Sequence, residues 1–173
     1  MVRISESGMV FGEYAEENVF QIEKSKLHDK IGNGIKVVEF ILINEPNKLN
    51  FIEAKSSSPQ PREDNMERFD EFIGEITDKF IHSFNLYYSG IMRRNTGYYE
   101  ISNKFFDINN SEVKFKFILV IKNHKKEWLA PLSEALKRQL IVHNTIWKSE
   151  VIVINEDMAR EYKLIIGSVK NFV

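Results

Sequence analysis

Three runs of apolar, largely β-branched residues most constrain what this chain can become: Lys36-Val37-Val38-Glu39-Phe40-Ile41-Leu42-Ile43, Phe115-Lys116-Phe117-Ile118-Leu119-Val120-Ile121 and Val151-Ile152-Val153-Ile154. Each is shorter than a typical helix and too uniformly apolar for a strand with one wet face. Such runs read as strands buried on both sides. Between them lie amphipathic helical patterns, so the sequence predicts an α/β fold with a covered central sheet.

The longest pattern follows the loop Ser56-Ser57-Ser58-Pro59-Gln60-Pro61. Met66, Phe69, Ile73, Ile76, Phe80, Phe84 and Tyr87 recur at spacings of three and four, predicting a helix over about 63–88. Leu129, Leu132, Leu136 and Leu140 define a second helix, with Pro131 tolerated in its first turn. Asn155 is a good N-cap for a last helix over 156–164. Toward the N-terminus, alternation around Phe20 and Ile22 predicts a strand over 19–24, residues 27–31 suit one helical turn, and Gly32-Asn33-Gly34 ends it. Residues 89–112 read as irregular. The turn formers Asn44-Glu45-Pro46-Asn47-Lys48 separate the 36–43 strand from a second one at 49–55, which makes an antiparallel hairpin and therefore a mixed sheet.

Length and composition bound the rest. A chain of 173 residues suffices for one core and leaves no room for a second, so one domain over 1–173 is expected. Hydrophobic residues at 43% and charged residues at 28% exclude a disordered chain. No cysteine is present, which excludes disulfides, zinc ribbons and thiol nucleophiles. With neither a signal-peptide pattern in residues 1–13 nor a run of the ~20 apolar residues a membrane span needs, a cytoplasmic location is expected. The 24 basic and 25 acidic residues give a net charge of −1, without the basic excess of a protein that holds nucleic acid unaided. His28, His82, His124 and His143 show no zinc-site spacing, and no glycine-rich phosphate loop or serine elbow occurs.

The chemistry candidates are Glu39 and Glu53-Ala54-Lys55. Strand parity puts Glu53 and Lys55 on one face. If the loop spans 44–48 and Ile43 pairs with Leu49, Glu39 stands opposite Glu53; a four-residue loop would put the two acids on opposite faces. Two carboxylates about 5 Å apart at an effective dielectric of about 20 repel by about 3 kcal/mol. Lys55 offsets part of that, and a bridging Mg²⁺ or Mn²⁺ offsets more while acidifying its bound water.

Val38-Glu39-Phe40-Ile41 and Phe51-Ile52-Glu53-Ala54-Lys55, followed by the 63–88 helix and the 115–121 strand, resemble the PD-(D/E)xK nuclease superfamily over about residues 35–122. The resemblance implies a restriction-endonuclease-like mixed sheet with helices on both faces. It also implies Glu39 and Glu53 as metal-binding acids, the Ala54 carbonyl as a further ligand, and Lys55 positioning the water or stabilising the transition state. One of Glu13, Glu16, Glu17 or Glu23 would add a carboxylate, as an N-terminal helix does in that family. The sequence departs from it in having Glu39 where Asp is usual and Val38 where many members have Pro. Glu-x-Lys also occurs at Glu112/Lys114 and Glu161/Lys163, without the hairpin context. The implied activity is metal-dependent cleavage of DNA or RNA, with a homodimer, partner protein or defence-type assembly compensating for the neutral charge. The alternative is an inactive relative serving as an interaction module. Arg93 and Arg94 are candidate phosphate contacts near the groove mouth.

Overall fold

The computed structural model of the chain describes residues 1–32 and 34–168. Its strands and helices are β1 (Val2–Glu6), β2 (Met9–Tyr14), β3 (Val19–Phe20), α1 (Lys26–Asp29), β4 (Phe40–Glu45), β5 (Lys48–Lys55), α2 (Met66–Ile91), α3 (Asn103–Phe106), β6 (Lys114–Ile121), α4 (Leu129–Gln139), α5 (Ile141–Trp147), β7 (Glu150–Asn155), α6 (Glu156–Glu161) and β8 (Ile165–Ser168). Short 3₁₀ turns fill several of the connections. The apolar runs assemble into a five-stranded mixed sheet of order β3-β4-β5-β6-β7. β3, β4 and β5 are antiparallel, whereas β5, β6 and β7 run parallel, because α2 and then α4–α5 provide the long crossovers that parallel pairing requires.

Side-chain alternation splits the core in two. Ile41, Ile43, Leu49, Phe51, Phe117, Leu119 and Val153 face α2 and α4, whose buried stripe includes Phe69, Ile73, Ile76, Phe80, Leu132 and Leu136. Phe80 is fully buried, with its ring centroid 4.9 Å from that of Phe117. On the opposite face Phe40, Leu42, Ile52, Ala54, Ile118 and Val120 pack on Ile4, Met9 and Phe11 of an antiparallel sheet of order β1-β2-β8, and on Ala159 of α6. The expectation of helices on both faces is therefore corrected: a second sheet with α6 covers this side. The sequence hides that sheet because its pairing shifts register between Val2 and Ile4 and between Val10 and Phe11, which breaks the two-residue alternation.

The hairpin keeps the expected register, with Ile43 opposite Leu49 and Phe40 opposite Ile52. Its turn is tighter than 44–48. A shift after Ile43 pairs Glu45 with Lys48 and leaves Pro46-Asn47 between the strands, Asn47 taking a φ of 54°. Two further corrections concern strand ends. Strand β3 stops at Phe20 and a 3₁₀ turn, Ile22–Lys24, replaces the rest of the 19–24 strand. Residues 36–39 precede the strand, and the Val38 N–H donates instead to Ser83 Oγ of α2 at 2.8 Å. Within 89–112 lies α3, and α6 is shorter than the helix expected over 156–164, although the Asn155 side chain caps it as expected. Asn33, part of the predicted 32–34 turn, lies outside the described residues. Among the described residues no helix is long and apolar enough to cross a membrane.

Candidate active site

The parity of β5 turns Glu53 and Lys55 toward α2, and the two helix residues that meet them are one turn apart. Lys79 Nζ lies 2.7 Å from Glu53 Oε1, Lys55 Nζ lies 3.3 Å from the same oxygen and 2.8 Å from Glu75 Oε1, and Lys36 Nζ lies 3.5 Å from Glu75. Glu53 is fully buried, and Lys79 nearly so, its aliphatic stem carried among the apolar stripe of α2. Burial pushes the Glu53 carboxyl upward, and Lys79 and Lys55 pull it partly back. For Lys55, burial opposes the charge, but the hydrogen bond to Glu75 and the nearby acids outweigh it and raise its pKa. The hydrogen bond from Lys55 in turn holds Glu75 below the usual carboxylate range.

Glu39 is placed differently from the expectation of direct opposition. Its N–H donates to the Ile52 carbonyl at 3.1 Å, the oxygen beside the Phe40↔Ile52 pair, so the regular ladder ends before Glu53 acquires a cross-strand partner. Its carboxyl remains within electrostatic reach of Glu53 and shares a side-chain hydrogen bond with Glu23 of the Ile22–Lys24 turn. Burial first, then that hydrogen bond and the charges of Glu53, Glu23 and Glu6, push the Glu39 pKa up to about 8. The raised Glu39 pKa favours its neutral form, which lessens the repulsion with Glu53, and Lys79 and Lys55 pair with Glu53. Of the four acids offered as an extra carboxylate, the structure brings Glu23 to the site, whereas Glu13 pairs with Arg3, and Glu16 and Glu17 lie in a 3₁₀ turn with no buried residue.

The Ala54 carbonyl points to the same side as that of Ile52, beyond the end of β4, and accepts a hydrogen bond from Ser7 Oγ at 2.9 Å. Ser7 belongs to the β1–β2 turn, where it and Gly8 take positive φ of 49° and 76°. A Cβ on Gly8 would stand 2.6 Å from Lys122 Nζ, so this turn closes tightly over the ends of β5 and β6. It also brings Glu6, paired with Lys24, beside Glu39. Glu112/Lys114 sits at the start of β6 and Glu161/Lys163 at the end of α6, on neither side of this cluster.

Does the cluster suit a hard cation? Among the described residues no three histidine, aspartate or glutamate side chains stand arranged to hold a metal ion. The donor chemistry nevertheless fits. Among the described residues Glu39 Oε2 and Glu53 Oε2 are buried with no hydrogen-bond partner, and the Ala54 carbonyl keeps a second lone pair. Both His28 ring nitrogens meet backbone carbonyls, those of Glu23 and Ile35, and His143 packs among Phe84, Phe117 and Trp147.

No family model, curated protein or solved structure gives a significant match to this chain.

Proposed function

We propose that this chain is a divalent-cation-dependent phosphodiesterase with a restriction-endonuclease-like core. More narrowly, it is a nuclease acting on DNA or RNA. The observation that carries the proposal is the pair of buried carboxylate oxygens, Glu39 Oε2 and Glu53 Oε2, that have no hydrogen-bond partner among the described residues, with Lys55 Nζ 3.3 Å from the other Glu53 oxygen and the Ala54 carbonyl next along β5. Glu39, Glu53 and the Ala54 carbonyl would hold Mg²⁺ or Mn²⁺. When bound, the ion supplies an acidified water and neutralises charge on the phosphoryl oxygens.

The chain's own groups do the remainder. Lys55, partly exposed and held by Glu75, presents its ammonium where charge builds on a phosphate and can orient the attacking water. Lys79 stays on Glu53 Oε1 and leaves Oε2 toward the site. The near-neutral net charge favours action as a homodimer or beside a partner protein, including within a defence-type assembly.

A second reading has its own observation: Lys79 and Lys55 neutralise Glu53 without any metal, as an inactive relative kept as an interaction module would require. Calorimetric titration with Mn²⁺ separates the two. Micromolar binding that Glu53→Gln abolishes, together with Mn²⁺-dependent cleavage of labelled DNA or RNA, supports the nuclease. No Mn²⁺ binding, with or without nucleic acid, supports the module.

A further inference from the structure

Arg93 and Arg94, candidate phosphate contacts in the sequence, take no part in the acid–lysine cluster, and the fold brings Arg93 to Tyr98 and the Tyr98 ring to within 6.5 Å of the Tyr99 ring. The Tyr98–Glu100 turn is locked against the start of α1: a Cβ on Gly97 would stand 2.8 Å from the Leu27 nitrogen, and the Lys26 N–H donates to Glu100 Oε2 at 2.6 Å. So fixed, Tyr99 remains 59% exposed, with Lys26 Nζ 5.6 Å from its ring centroid. Arg93 lies 5.6 Å from the rings of both Tyr98 and Phe106, and Arg94 beside it is exposed. Among the described residues neither arginine is in an ion pair, while Glu100, 3.8 Å from Lys26, offsets part of that charge.

Glu100, next in sequence to Tyr99, lines a surface depression with Phe20, Gln21, Lys24 and Ser25, and Lys24 belongs to the 3₁₀ turn whose Glu23 reaches Glu39. An exposed, rigid ring flanked by cations is what an unpaired base and its phosphates require, since every base offers a π-face to stack. Three cations give only a small electrostatic contribution to binding a duplex, which offers no unpaired base face for Tyr99 to stack on.

We infer that this surface docks single-stranded nucleic acid, with a base stacked on Tyr99 and adjacent phosphates on Lys26, Arg93 and Arg94. That the strand then leads toward Glu39 and Glu53 rests on the phosphodiesterase reading; the docking does not.

The test is fluorescence anisotropy of the full chain with a fluorescein-labelled oligothymidylate of about 15 nucleotides, near the upper site size of one single-strand-binding fold. Binding is measured in EDTA, with the matching duplex as comparison. The single strand is expected to bind more tightly than the duplex. Tyr99→Ala should weaken it by about 5- to 150-fold, the range of one base–aromatic stack, while Tyr99→Phe binds like the parent protein. Arg94→Ala should reduce the log–log salt slope by about 0.7. No binding at low salt, a preference for duplex, or a Tyr99→Ala protein that binds like the parent would overturn the inference. Mn²⁺-dependent cleavage is read separately. Tyr99-dependent binding without cleavage leaves the platform standing and removes the nuclease, whereas cleavage with Tyr99 immaterial removes only the platform.

Discussion

Replacing Glu39 with Gln tests the electrostatics of the site without requiring any activity. Gln has nearly the same shape and keeps a donor for Glu23, but it never ionises. In the folded protein the Glu39 pKa stands at about 8 against an ordinary 4.5. Below the ordinary value both folded and unfolded chains hold the proton, and the protonated carboxyl contributes its full stability. Between the two values the folded chain binds the proton that the unfolded chain has released, so stability falls as pH rises and the loss is complete above about 8. At ~1.36 kcal/mol per pH unit the limit is about 5 kcal/mol, and because Glu39 is only partly buried, solvent screening reduces this to about 1–3 kcal/mol. Urea unfolding in EDTA, followed by tryptophan fluorescence from about pH 5 to about pH 9, reads the difference directly. Glu39→Gln should gain on the parent protein as pH rises and be the more stable of the two at the alkaline end. A difference between the two proteins that does not change with pH would refute the argument, because Glu39 would then titrate alike in both states.

Three other outcomes are expected. Phe80→Ala should cost about 3–5 kcal/mol in urea unfolding, since the ring is fully buried between α2 and the sheet; a loss under about 1 kcal/mol would show that the helix contributes little to that core. Lys79→Met should destabilise by about 3–5 kcal/mol at neutral pH, because it strips the closer partner from a buried carboxylate, and the added change Glu53→Gln should recover much of that; a lone Lys79→Met as stable as the parent contradicts the network. If the nuclease reading holds, Lys55→Met abolishes Mn²⁺-dependent cleavage while calorimetry still detects Mn²⁺ binding, and unchanged cleavage would deny Lys55 any part in the chemical step.

Some of this architecture is legible along the chain. The α2 stripe from Phe69 to Phe84, the β6 and β7 runs and the Asn155 cap follow from spacing and local chemistry, whereas the Ile43–Leu49 pairing is one of two registers the loop allows and the shift that pairs Glu45 with Lys48 decides it. The N-terminal sheet escapes such a reading because bulges interrupt its alternation and because β8, its third strand, comes from the far end of the chain. Lys79 could have been noticed as a cation three residues after Ile76 and beside Phe80, one turn from Glu75, but nothing local tells which strand residue it meets.

By itself, then, the sequence determined the periods of its most regular segments, namely the β4–β5 hairpin, α2, β6, α4 and β7, which residues share a face within them, and that Glu53 and Lys55 point the same way. Only the tertiary structure decided the state of those charges. The raised Glu39 pKa comes from its burial first and then from Glu23, Glu53 and Glu6, two of them arriving from the N-terminal segment, and whether Glu53 is compensated depends on Lys79 arriving from α2. Side-chain direction is a property of neighbours in sequence. A pKa or an ion pair belongs to neighbours in space, brought together by burial of apolar faces that lie far from the charges themselves.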